Sequence, residues 1–277
     1  TLSLHDALPI SMDDPRNGDE IGENEILVVS FGTSYNETRA KNIDAIENDI
    51  AKAFPDHEIR RAFTSGMIIR KLQKRDGVKV DTVTEALEKM ADEGIKEVVV
   101  QPTHLMAGEE FDIMVNDISK LSGRFSSVKI GRPLLTSDKD IDDMADMLIG
   151  ITSRAEDECY VFMGHGTEHN ANAVYASLQE TLDKKGIRNI FIGTVEAVPT
   201  KEDMIAKAKA LGARKVVIQP LMVVAGDHAT NDLAGDEADS WKNTFISEGF
   251  EVECILKGLG EFSKVRDMYV EHVREML

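Results

Sequence analysis

The chain reads as an α/β protein built from two similar lobes, each a parallel sheet flanked by helices. From residue 25 onward short apolar runs alternate with longer amphipathic segments, which is the pattern of buried parallel strands joined by helical crossovers. The same alternation starts afresh near residue 158. The halves also share sequence, because KEVVVQPTHLMAGE from Lys96 aligns without gaps to RKVVIQPLMVVAGD from Arg214. Gln101, Pro102 and Gly108 match Gln219, Pro220 and Gly226 at a constant offset of 118, and SFGTS at Ser30 echoes GHGTE at Gly164 at an offset of 134.

Residues 1–20 (TLSLHDALPISMDDPRNGDE) show neither strand nor helix periodicity and lack the basic start and longer apolar core of a complete secretory signal. The stretch 1–24 is therefore expected to be a disordered leader or an artefact outside the fold, with Met12 an alternative start. The first lobe is assigned to 25–155. A strand is predicted over 26–30. Ser34 and Glu37 have capping-box spacing and start a helix that runs to about residue 54. A strand follows at 59–63, then helices at 67–75 and 82–93, and a β-branched strand at 97–101 closed by Pro102. Helix 109–122, strand 127–131 and helix 138–155 complete this half. The second lobe, 156–277, is expected to hold strands at 158–163, 189–193, 214–219 and 250–255, with helices at 172–185, 200–211, 236–248 and 261–276.

Composition narrows the class of function. With 277 residues, 42% hydrophobic and 30% charged content, the chain is long enough for two modest lobes. No apolar run approaches the roughly 20 residues of a membrane-spanning helix. A net charge of -18 disfavours nucleic acid and anionic lipid as partners, since both call for clustered Lys and Arg. Cys159 and Cys254 lie singly within strand-like runs and read as buried thiols of a reducing compartment. The cytoplasm is the expected location, with the periplasm as the alternative if a signal peptide is missing upstream. A homo-oligomer is compatible with the sequence, because an amphipathic helix can bury its face within a lobe or between subunits.

Three apolar runs of the second half each end on a residue able to bind a divalent metal: CYVFMGHGTEH at His165, NIFIGTVE at Glu196 and KVVIQPLMVVAGDHATND at His228. Taken singly, each has an ordinary explanation: a hydrogen-bonded imidazole, a loop carboxylate, or an imidazole held by Asp227 or Asp232. Together they point to a site, because open α/β sheets bind ligands at the carboxyl ends of their strands. Two imidazoles and a carboxylate suit Co2+, Ni2+, Fe2+ or Zn2+, and three protein ligands leave positions open. In the first lobe the equivalent positions hold Phe31 and Glu110, so the metal chemistry is one-sided and the first lobe forms a wall for something larger. His57, His104, His169 and His272 lack this context, and His5 falls in the leader.

GHGTEH, GTVEAVP, QPLMVVAGDHATNDLAGD and the early SFGTSYNETR resemble the anaerobic sirohydrochlorin cobaltochelatases of the CbiK type, across about residues 25–277. The resemblance implies a ferrochelatase-like fold. It further implies insertion of Co2+ into sirohydrochlorin in cobalamin biosynthesis, with the metal held by His165, Glu196 and His228 and with His165 as catalytic base. Co2+ is then a substrate, and no organic cofactor is implied. The tetrapyrrole's acetates and propionates would meet the backbone N–H groups and hydroxyls of Gly32, Thr33 and Ser34, while Phe31 and Met106 contact the ring face. Arg39, Arg60 and Arg61 are further candidates, although surface placement is the expectation for each. The alternatives are a tetrapyrrole (haem) or metal carrier using the same cleft, or a chelatase preferring Ni2+ or Fe2+.

Overall fold

Every run predicted as a strand from residue 26 onward forms one. The computed structural model describes residues 12–18, 21–152, 155 and 157–277. In chain order the first half holds β1 (Met12–Asp13), β2 (Glu25–Ser30), α1 (Asn36–Ala53), β3 (Glu58–Phe63), α2 (Gly66–Asp76), β4 (Val78–Lys79), α3 (Val83–Asp92), β5 (Glu97–Pro102), α4 (Glu109–Leu121), β6 (Ser127–Ile130) and α5 (Asp138–Ile151). The second half holds β7 (Glu158–Gly164), α6 (Ala173–Lys184), β8 (Ile190–Thr194), α7 (Lys201–Leu211), β9 (Lys215–Pro220), a π-helical turn (Ala229–Leu233), α8 (Trp241–Ser247), β10 (Glu251–Cys254) and α9 (Ser263–Arg274). Strands β2, β5, β7, β8 and β9 are buried on both faces, where apolar sequence rather than alternation is the signal, while the edge strands β6 and β10 are partly exposed and alternate.

The two four-stranded sheets have the same order, β3-β2-β5-β6 and β8-β7-β9-β10, and all their pairings are parallel. The repeat extends to single hydrogen bonds at the strand ends. Ser65 N–H donates to the Phe31 carbonyl (3.2 Å) as Glu196 N–H donates to that of His165 (2.8 Å), and Thr103 N–H donates to Val29 (2.8 Å) as Leu221 N–H does to Met163 (2.7 Å). Phe31, Ser65 and Glu110 are thus the first-lobe counterparts of His165, Glu196 and His228.

One apolar core joins the lobes. Ile26 and Val28 of β2 share a cluster with Tyr160 and Phe162 of β7, Leu148 of α5, Leu178 of α6 and Tyr269 of α9. Helix α9 packs on α1 and α5, and the Tyr269 hydroxyl donates to the Thr103 carbonyl at 2.8 Å. The last helix of the chain therefore braces the first lobe. Each fully buried Leu, Ile or Phe contributes about 1.5–3 kcal/mol relative to exposure, so this shared cluster holds the two strand-end edges in fixed relation.

Several expectations are corrected. The stretch set aside as a leader enters the fold: β1 pairs in parallel with β4, Asp14 and Asn17 are buried, and Asn17 donates its side-chain amide to the Arg61 carbonyl. Residues 1–11, including His5, and 19–20 lie outside the described residues. Arg60 and Arg61 are neither surface residues nor substrate contacts. Arg60 is buried against Glu25 (2.6 Å) and Glu93 (2.6 Å), and Arg61 against Glu47 and Asp14, carboxylates brought from distant parts of the chain.

The Ser34–Glu37 capping box does not form. The Thr33 hydroxyl accepts from Tyr35 N–H at 3.2 Å, which keeps Tyr35 extended, so α1 starts at Asn36 without a side-chain cap and Glu37 pairs with Lys41 instead. Helix 236–248 shortens to α8 because Ser240 caps it, accepting from Asn243 N–H. The Asn243 side-chain amide then donates to the carbonyls of Asp236 and Glu237, fixing the preceding turn. Cys159 is buried as expected, whereas Cys254 is half-buried; both are free thiols.

Candidate metal centre

His165, Glu196 and His228 each follow the carboxyl end of a strand: β7, β8 and β9 respectively. Since β7 lies between β8 and β9, three neighbouring strand ends deliver three side chains to one place. One ligand atom from each falls within 4.8 Å of the other two. The Nε2 atom of His165 lies 3.7 Å from Oε1 of Glu196, and the two imidazoles meet edge to face with centroids 4.5 Å apart and planes at 82°. His165 and Glu196 are about half exposed, so the group faces the cleft and is open to solvent.

Local backbone geometry explains the glycines around His165. Gly166 has φ of 86°, a left-handed conformation that L side chains adopt at a cost. A Cβ there would also stand 2.8 Å from the Ala197 amide nitrogen. Its counterpart Gly32 has φ of 97°, so both lobes turn their first strand end the same way. The turn lets the Gly166 carbonyl fold back onto its neighbour, where it lies 2.8 Å from Nδ1 of His165.

That contact fixes the tautomer. A carbonyl only accepts, so Nδ1 of His165 carries the proton and the Nε2 lone pair is free toward Glu196. His228 reaches the same state by another route. Its Nδ1 lies 2.6 Å from Oδ2 of Asp232, four residues on in the π-helical turn, leaving its own Nε2 lone pair free. Of the two carboxylates that sequence offered as partners for His228, Asp232 is the one that binds it. A carboxylate partner makes His228 the stronger donor, and a neutral carbonyl leaves His165 the weaker.

Asp227 instead accepts from the Tyr35 hydroxyl of the first lobe at 3.0 Å, a bond that pushes the Tyr35 phenol up. A second bridge crosses between His169 Nε2 and Asp112 Oδ2 at 3.5 Å. His169 Nδ1 accepts from Ala171 N–H at 3.1 Å, so Nε2 carries its proton and faces Asp112 as a donor, not as a metal ligand. An open depression of about 440 Å³ lies there, lined by Glu109, Asp112, Ile113, Asn116 and His169. Sequence reading passed over Tyr35 and His169. The available signal was the 134-residue offset, which makes the two positions counterparts.

The other first-lobe candidates separate. Phe31 is 46% exposed at the end of β2, whereas Thr33 and Ser34 are buried and the Thr33 hydroxyl is committed to Tyr35 N–H. Met106 packs, partly buried, against the core shared by the lobes. Arg39 turns one guanidinium nitrogen to the Asn36 side-chain oxygen at 3.2 Å.

The model of the cobalt chelatase (CbiK) family matches residues 24–277. The sirohydrochlorin cobaltochelatase of Salmonella typhimurium is 42% identical over 253 residues, covering 91% of this chain and 96% of that protein. The sirohydrochlorin cobaltochelatase CbiKC of Nitratidesulfovibrio vulgaris is 31% identical over 252 residues, covering 90% of this chain and 88% of the relative. Among solved structures, SirB from Bacillus subtilis with Fe3+ superposes with a TM-score of 0.63 at 15% identity, over 91% of this chain and 94% of that one, a likeness of fold. Matched over nearly its whole described length, this chain belongs to the cobalt chelatase (CbiK) family.

Proposed function

We propose that this enzyme inserts Co2+ into sirohydrochlorin in the route to cobalamin, and that His165, Glu196 and His228 present the ion to the macrocycle. The observation that carries the reading is the convergence of three ligand atoms within 4.8 Å at neighbouring strand ends, and it is supported by the exposed ring of Phe31 at the matching strand end of the first lobe. Co2+ is here a substrate in transit. Three ligands hold it while leaving coordination positions for the pyrrole nitrogens; a closed four-ligand cage would retain it.

Insertion requires two pyrrole N–H protons to leave as metal–nitrogen bonds form, and the differing partners of the imidazoles divide this work. His165, held only by a neutral carbonyl, is the ligand that releases first. Its freed Nε2 then accepts a pyrrole proton, and Glu196, 3.7 Å away, takes the second and passes it to solvent. His228, backed by the Asp232 carboxylate, keeps the ion until the macrocycle holds it. Phe31 meets the ring face.

Cytoplasmic action is part of the proposal and is supported by the free thiols Cys159 and Cys254; burial pushes the Cys159 thiol up to about 12. In a membrane context, no helix among the described residues is long and apolar enough to cross a bilayer. The test is metal insertion followed by the absorbance of the macrocycle, with Co2+, Ni2+ and Fe2+ offered separately and in competition. The wild type should insert Co2+ in preference, and His165→Ala should lose insertion while retaining its thermal transition. Wild-type turnover in His165→Ala would remove that residue from the mechanism, and tight binding without insertion by the wild type would make the protein a carrier.

A further inference from the structure

Acidic residues outnumber basic ones in this chain by 50 to 32, and α2 runs against that balance. Over Gly66–Asp76 it carries Arg70, Lys71, Lys74 and Arg75 against the lone carboxylate of Asp76, and Arg75 occupies that carboxylate. Arg70, Lys71 and Lys74 are exposed, and among the described residues none of them has an acidic partner. With Met67 they stand at positions i, i+3, i+4 and i+7, which places all four on one face of the helix.

That face borders the cleft. Ser65, the N-cap of α2, donates its N–H to the Phe31 carbonyl at 3.2 Å, so the first turn of α2 begins beside the exposed Phe31 ring. Met67 in that turn is 68% exposed. Lys71 Nζ lies 5.8 Å from the centroid of the Tyr35 ring, and the Tyr35 hydroxyl reaches Asp227, next in sequence to His228. The repeat provides an internal comparison in α7, which follows β8 as α2 follows β3. Two of its three cations are engaged by oxygen acceptors within their own lobe, Lys201 with the Asp239 carbonyl at 2.5 Å and Lys209 with Glu248, and Lys207 stands over the Phe191 ring at 5.6 Å as Lys71 stands over that of Tyr35.

We propose that the exposed face of α2, through Arg70, Lys71 and Lys74, is the receptor for the carboxylate side chains of the tetrapyrrole. It would grip the macrocycle by its rim while Phe31 and Met67 meet its face. This rests on the sirohydrochlorin reading above. A ring bearing many carboxylates approaches a protein of charge -18 against a repulsive field, and a local patch of uncompensated cations reverses the field where the ring docks. Arg70 adds a planar fork that matches a carboxylate in two bonds. The arrangement also accounts for the division of the cleft, with the ion presented from the second lobe and the organic anion anchored on the first.

The test is direct binding of metal-free sirohydrochlorin, read by absorbance and fluorescence, to the wild type and to the double variant Arg70→Glu/Lys71→Glu. Both residues are exposed, so the thermal transition should stay in place. The dissociation constant should rise about tenfold at low ionic strength, with the gap closing as salt is added and with Co2+ affinity unchanged. Deuteroporphyrin, which has two carboxylates, should lose less than sirohydrochlorin, and Lys207→Glu on α7 should bind as the wild type does. Unchanged sirohydrochlorin affinity in the double variant would overturn the proposal, as would an equal loss for deuteroporphyrin or an equal loss from Lys207→Glu. A wild type that binds sirohydrochlorin through α2 yet inserts no Co2+ would end the cobaltochelatase reading and leave this site standing. Insertion with wild-type affinity in the double variant would do the reverse.

Discussion

Asp232→Asn separates the proposed metal ligand His228 from the group behind it. In the native chain the ionised Asp232 carboxylate can only accept, so its 2.6 Å contact with Nδ1 of His228 holds the proton on Nδ1 and the lone pair on Nε2. Asparagine is nearly isosteric but neutral, and its amide can donate as well as accept. Two losses follow: the charge-assisted bond becomes an ordinary one, and the imidazole gains access to the tautomer whose Nε2 carries hydrogen and cannot ligate. Partners of this kind are worth about 10- to 100-fold in metal affinity. The Asp232 side chain is 43% exposed, and solvent screening puts the effect at the lower end, about tenfold or 1.4 kcal/mol. The assay is titration of metal-free protein with Co2+, followed by its visible absorption or by calorimetry, with His228→Ala as the reference for complete loss of that ligand. An Asp232→Asn protein that binds Co2+ as tightly as the wild type would refute the argument, because the tautomer would then be fixed by something other than Asp232.

Two further outcomes concern the scaffold. His104, whose residue surface is partly accessible, has both ring nitrogens sealed from solvent without hydrogen-bond partners among the described residues, and burial pushes it from 6.5 down to about 4. The unfolded chain then binds the proton first, so stability is full above pH 6.5 and falls as pH drops toward 4, by up to about 3 kcal/mol. His104→Met, the residue found at the matching position 222, should flatten denaturant midpoints over that range, and an unchanged acid slope would clear His104 of the effect. Starting the chain at Glu25 removes Asp14 from Arg61 and β1 from β4. Stripping one partner from a buried ion pair costs about 3–5 kcal/mol, a loss that the remaining Glu47 contact reduces, so the truncated protein should melt several degrees lower; an unaltered transition would make the segment dispensable.

Strands β2, β5, β7, β8 and β9 were legible because both faces of each are buried, which leaves an apolar run as a local signal, whereas β3 carries Arg60 and Arg61 and the edge strands β6 and β10 are partly exposed. The metal-ligand candidates were legible for a related reason, since each follows such a run. What escaped depends on contacts between distant residues. Arg60 and Arg61 look like surface cations until Glu25, Glu93, Glu47 and Asp14 arrive from elsewhere in the chain. The two-residue strands β1 and β4 have too little sequence to show a period, and β1 lies in a polar stretch. Ser34 has the spacing of a capping box, but the Thr33 hydroxyl takes the Tyr35 N–H first. The π-helical turn that sets Asp232 behind His228 has no composition of its own, and the bare cations of α2 become visible only when the ion pairs of the other lysines and arginines are known.

The cross-cleft bridges carry the symmetry of the repeat further than the metal site does. Tyr35 and His169 are counterparts at an offset of 134, and each reaches into the other lobe at the loop or helix start that follows the third strand. Tyr35 meets Asp227 and feels Thr230; at the 118-residue offset those positions correspond to Glu109 and Asp112, which lie beside His169. A contact between the lobes is thus present twice at matching positions of the repeat, with different residues making it. Both are exposed polar contacts, and such contacts hold a structure by no more than about 1 kcal/mol each. The lobes are therefore held chiefly by apolar packing, which reaches the strand-end side where Val224 packs against Ile43 and Phe63 of the first lobe. The strand-end positions diverged in the opposite sense: geometry was kept so that Phe31, Ser65 and Glu110 stand where His165, Glu196 and His228 stand, but ligating chemistry is found on one side only. On the proposed reading, a planar ring between such walls would meet His165, Glu196 and His228 on one face and Phe31 on the other, and Co2+ would enter from the second-lobe face.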